Sequence, residues 1–65
     1  MSKYDIEVEL SDGNAFAIIG KVVVGLREAG ASAEEIAAYK TEAMSSDYAH
    51  LLAVSSEWVN IVVAE

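Results

Sequence analysis

The chain has no cysteine, a single histidine and only four Lys or Arg residues. Each scarcity removes a class of function. Without cysteine there are no disulfides and no thiolate metal sites. With one histidine, a multi-histidine metal centre within one chain is excluded too. Four cations against 11 acids give a formal charge of −7. Such a surface repels nucleic-acid phosphates and anionic membranes, so direct nucleic-acid binding is not expected. It suits a basic surface on another protein, and it also keeps a small hydrophobic domain in solution. No uncharged run approaches the ~20 residues that a membrane span needs. Met1-Ser2-Lys3 leads into an acidic alternating segment, not a basic and then apolar leader. No signal peptide is therefore expected. A cytoplasmic protein with no membrane attachment, metal or cofactor is the default, and the missing cysteine agrees with it.

What the chain does have is apolar surface. Its 65 residues make one domain, 54% of them apolar. A domain this small buries only about 60% of the surface its unfolded chain exposes. Its core supplies roughly 3–5 kcal/mol of net stability. Small chains make up the difference with disulfides, a metal or a partner. The first two are excluded, so a homodimer is expected.

Two hydrophobic periods meet at Asp12-Gly13-Asn14. Before that point, Tyr4, Ile6, Val8 and Leu10 alternate with Asp5, Glu7 and Glu9. This is a half-buried strand over residues 3–10, with a carboxylate face that must meet water or a basic partner. After it, Ala15 to Leu26 carries Lys21 as its only charge. The β-branched Ile18, Ile19, Val22, Val23 and Val24 suit strands, and Gly20-Lys21 would fit a hairpin turn. Length, the seven-residue recurrence of Asn14, Lys21 and Glu28, and a stop at Gly30 favour a helix capped by Asn14. So narrow a polar stripe implies burial on most sides. Gly20 and Gly25 imply close packing against the helix backbone.

Ser32-Ala33-Glu34-Glu35 is a capping box that opens a second helix. Ile36, Tyr39, Ala43 and Met44 share its apolar face. Ser45-Ser46 ends it, and Asp47 falls in the first turn of a third helix with Tyr48, Leu51 and Leu52 on its apolar face. Ser55-Ser56 interrupts again. Trp58 to Val63 reads as a second strand, with Val59, Ile61 and Val63 on one face and Trp58, Asn60 and Val62 on the other. The predicted fold is α+β, strand-helix-helix-helix-strand. Two strands make a poor sheet alone and leave open edges, so the sheet is expected to be completed by a second copy.

No catalytic constellation is present. Asp12-Gly13-Asn14 begins like a calcium loop, but the later glycine and terminal glutamate are missing. Asp47 and His50 lie three apart on one helix, where a carboxylate could orient an imidazole. A surface contact is the commoner outcome of that spacing. Trp58 is read either as an exposed interface anchor or as a cover for one end of the core.

Three segments together carry a resemblance. They are Asp12-Gly13-Asn14-Ala15-Phe16 after an N-terminal strand, the helix start Ala29-Gly30-x-Ser32-x-Glu34-Glu35-Ile36, and Ser46-Asp47-Tyr48-Ala49-His50-Leu51-Leu52. They resemble a widespread group of small uncharacterised proteins encoded by bacteria, phages and plasmids. Ser46 stands where that group usually has Gly, and Ala49 where it has Asp. The resemblance implies a mobile-element accessory protein and brings no activity with it. Asp12, Gly13, Asn14, Asp47, Tyr48 and His50 fall on its recurring motifs.

Different functions compete for this pattern. One is a non-enzymatic homodimeric interaction module that binds a host or defence protein with a basic surface. It would use Asp5, Glu7 and Glu9, with Trp58 and Val62 at interfaces. Another is a binder of a nucleotide or metabolite between the Asp12–Asn14 turn and Tyr48/His50. A phage structural protein is a third.

Overall fold

The computed structural model describes residues 3–63. Met1 and Ser2, on which the leader expectation rests, lie outside the described residues, as do Ala64 and Glu65. The elements are β1 (Glu7–Leu10), α1 (Ala15–Glu28), α2 (Ala33–Ala43), α3 (Tyr48–Trp58) and β2 (Asn60–Val63). This is the expected α+β order. The two strands pair in parallel, in register from Glu7 opposite Asn60 to Leu10 opposite Val63. Parallel strands need a long crossover, and here the crossover consists of all three helices.

α1 packs against β1 and α3 against β2, and α2 packs on those two helices without touching the sheet. Val8 and Leu10 are buried on the helix side of the sheet, while Glu7 and Glu9 are exposed on the other face. Ile18, Val22 and Leu26 of α1 meet Ile36 and Tyr39 of α2 and Leu51 and Val54 of α3 in one core. Gly30, at φ +89°, lets the chain leave α1. The Ala31 N–H reaches the Leu26 carbonyl and the Gly30 N–H the Arg27 carbonyl, closing a Schellman stop. Ser32 and Glu35 form both arms of the capping box.

Several expectations are corrected. The first strand is shorter than residues 3–10. The Lys3 and Tyr4 N–H groups bond to the Glu57 and Trp58 carbonyls at the end of α3. The ladder can open only where β2 begins, with the Asn60 N–H on the Ile6 carbonyl. The second strand starts at Asn60, not Trp58, because α3 runs unbroken through Ser55-Ser56. Both serine hydroxyls are satisfied within the helical layer. Ser55 Oγ is 2.7 Å from the Tyr39 hydroxyl, and Ser56 Oγ donates back to the Leu52 carbonyl. A hydroxyl bonded to the i−4 carbonyl is compatible with a continuing helix.

α1 is a helix, as read, but is not buried on most sides. Phe16 and Val24 are exposed, because a two-stranded sheet and two neighbouring helices cannot surround it. Gly25 meets the expected close approach, since a Cβ there would lie 3.0 Å from Val8 Cγ2. Gly20 does not: nothing lies within 4 Å of its Cβ position. Met44 is likewise exposed, because it is the residue on which α2 ends. Among the described residues, no helix is long and apolar enough to cross a membrane.

Candidate functional site

The fold brings the Asp12–Asn14 turn and the start of α3 together, although 35 residues separate Gly13 from Tyr48. The Tyr48 hydroxyl donates to the Gly13 carbonyl at 2.6 Å. One oxygen of each of Asp12, Asn14 and Asp47 is also engaged by the backbone. Asp12 Oδ1 accepts from the Asn14 N–H, and Asn14 Oδ1 accepts from the Phe16 N–H, capping α1. Asp47 caps α3 through the His50 backbone N–H. The expected contact between the Asp47 carboxylate and the His50 ring is therefore replaced by a cap. The His50 ring turns to the end of α2, with Nε2 3.0 Å from the Glu42 carbonyl and 3.1 Å from Ser45 Oγ. So Asp12, Gly13, Asn14, Asp47 and Tyr48 cluster at the strand ends, while His50 locks the α2–α3 junction.

Asp5, Glu7 and Glu9 are exposed and run along the outer side of the sheet, as their alternation required. Asp5 Oδ1 accepts from Asn60 Nδ2 at 3.3 Å. Val62 lies opposite Glu9 in the ladder and is 39% exposed. The outer face is thus acidic on β1 and uncharged on β2.

Trp58 is not an exposed anchor. It is 7% exposed, because it ends α3 instead of opening a strand and so falls on the helix's core face. It stacks on Tyr4, meets the edge of Tyr39 and carries Lys3 Nζ 4.4 Å above its ring. The second sequence reading, a cover for the end of the core, describes its place. Nearby, the Tyr4 hydroxyl hydrogen-bonds to Glu35, and this holds the Glu35 carboxyl below its ordinary range with help from the Ser32 backbone. The same bond raises the Tyr4 phenol. Burial raises that of Tyr39.

The sequence reading missed an apolar band at the carboxyl ends of the strands. Phe16 is 79% exposed, Met44 57%, Tyr48 46% and Val63 72%. Phe16, Met44 and Tyr48 rim a hollow of about 220 Å³ floored by Ile19 and Leu51. On the far side of Tyr48, Val63 and Leu10 border a second hollow of about 210 Å³. A usable signal was present: Phe16 and Val24 flank Gly20 at four-residue spacing, off the Ile18–Val22 face. No known family model matches the chain, and neither a curated protein nor a solved structure shows significant similarity to it.

Proposed function

We propose that this chain is a non-enzymatic acidic interaction module, homodimeric, that binds the basic surface of a host or defence protein as an accessory of phage or mobile-element type. The observation that carries the reading is the outer sheet face, where Glu7 and Glu9 of β1, and Asp5 in the segment that leads into it, are all exposed. Their burial pattern leaves them no part in the core, so their arrangement is free to serve a partner. Electrostatic complementarity of this kind chiefly sets encounter rate and partner choice.

The dimer forms through β2. Glu7 and Glu9 protect the edge of β1, since a second β1 would bring carboxylates together. β2, Asn60–Val63, has no charge, and edges without charge are the ones that pair. A two-fold axis normal to the sheet gives the order β1-β2-β2-β1 with both acidic faces on the same side. The two β1 strands then stand about 14 Å apart, three strand spacings. That exceeds the roughly 8 Å Debye length at physiological salt, so their repulsion is screened.

The test is capture of a partner by the wild-type chain and by the Asp5→Lys/Glu7→Lys/Glu9→Lys variant. One stoichiometric protein is expected with the first and is lost with the second. The small-ligand reading makes the opposite forecast, in which Asn14→Ala and Tyr48→Ala destroy activity and the strand reversal does little. It is less favoured, because Asp12 Oδ1, Asn14 Oδ1 and the Tyr48 hydroxyl already serve the turn and the α1 cap.

A further inference from the structure

We infer that the apolar band at the carboxyl ends of the strands is the anchoring site for an amphipathic, lysine- or arginine-bearing segment of the partner protein. This rests on the acidic-module reading and names where that partner buries its apolar side chains. Phe16, Met44, Tyr48 and Val63 are the exposed large side chains of the band. Tyr48 is shared by the two hollows, so the band is continuous across it. Its position is fixed by its hydroxyl on the Gly13 carbonyl. A rigid aromatic ridge between two hollows is what a segment with two apolar anchors requires.

The size of the hollows selects the occupant. At about 220 and 210 Å³ each, they fall below the ~300–1,000 Å³ of small-molecule sites. Each suits a side chain. Charge selects further. Asp47 lines the first hollow and Asp12 the second, and no Lys or Arg lines either. All four cations of the chain lie elsewhere: Lys3 against Trp58, Lys21 beside Glu7 and Glu9, and Arg27 and Lys40 together between α1 and α2. A second copy would bring its own Asp12 and Asp47 to the band, and an anionic lipid surface would be repelled. A basic segment is attracted.

The experiment is an amide-resolved NMR titration of the full chain with three synthetic peptides. The first carries Leu and Trp on one helical face and Lys on the other; the second replaces Lys by Glu; the third replaces Leu and Trp by Ser. Only the first should bind tightly, shifting Phe16, Met44, Tyr48 and Val63. Phe16→Ser/Met44→Ser removes two exposed side chains and leaves the core intact, so the variant should fold and lose about tenfold or more in affinity, the scale of hot-spot truncation. Shifts confined to Glu7–Glu9, with the double variant binding like wild type, would overturn the anchor band and leave the acidic module standing. Equal binding of the Glu peptide, or no binding of the Lys peptide, would overturn both. Concentration-dependent shifts at Phe16, Met44 and Tyr48 without peptide, beyond those that β2 pairing gives at Val63, would assign the band to a second copy and overturn the inference.

Discussion

Among single residues, the buried polar pair carries the sharpest consequence. Ser55 is fully buried, and its hydroxyl meets that of Tyr39, also fully buried, at 2.7 Å. Ser55→Ala strands the phenol in the core, and leaving a buried group unsatisfied costs about 1–3 kcal/mol. Tyr39→Phe leaves Ser55 able to turn toward its own helix and should cost less. The double variant should be more stable than the sum of the singles requires, which a denaturant-melt cycle measures directly. Glycine gives a second test. Gly20→Ala meets open space and should stabilise by roughly 0.5–1 kcal/mol, the helix-propensity gain. Gly25→Ala places its methyl 3.0 Å from Val8 Cγ2 and 3.4 Å from Ile6 Cδ1. Val8 is buried and held in the ladder, so it cannot retreat, and overpacking of ~1–3 kcal/mol outweighs the propensity gain. Opposite shifts in denaturant midpoint are expected. A stabilised Gly25 variant would mean that β1 is more pliable than its pairing implies.

At the scale of elements, helix ends were legible because caps are local chemistry. Asn14, Gly30, Ser32 and Asp47 all stand at helix ends, although Asp47 is the cap itself and not a first-turn residue. The end of α3 was not legible. Ser55-Ser56 reads as a break until Tyr39 is known to satisfy the buried hydroxyl, and that contact spans 16 residues. Misplacing that end displaced Trp58 from the core to a strand face. In the site, the acidic face was legible from period-2 alternation alone, whereas the Phe16–Val63 band required the tertiary arrangement. The capping box offers a test with a pH signature. Ser32→Ala should destabilise by ~1 kcal/mol, as lost caps do. Glu35 titrates below its ordinary value of 4.5 in the folded chain, first through Tyr4 and then through Ser32. A depressed carboxyl stabilises the fold above its unfolded pKa, and that contribution disappears as pH falls through the folded pKa. Glu35→Gln retains a capping side chain but removes this component. Its midpoint should therefore fall less than that of wild type as pH is lowered from neutral to below 4.5. Parallel midpoint curves for the two proteins would show that the Tyr4–Glu35 bond contributes nothing in solution.

On the scale of the whole molecule, two features remain after the core is accounted for: a sheet that, among the described residues, has two strands, each paired on one side, and a charge of −7. The proposed β2-mediated dimer would answer the first. Val62→Asp would set new carboxylates against each other across the two-fold axis, and sedimentation should show that variant at monomer mass where wild type shows a dimer. A wild-type chain that sediments only at 6.9 kDa at micromolar concentration would remove the dimer from the account. The proposed interaction module would answer the second. Its most direct measurement is the association rate of the captured partner, followed against ionic strength for wild type and for Asp5→Lys/Glu7→Lys/Glu9→Lys. A steered encounter should slow by roughly tenfold or more for wild type as salt rises, and the reversed face should not bind. A triple-lysine chain that associates at the wild-type rate, with the same salt dependence, would contradict the claim that the acidic sheet face recognises the partner.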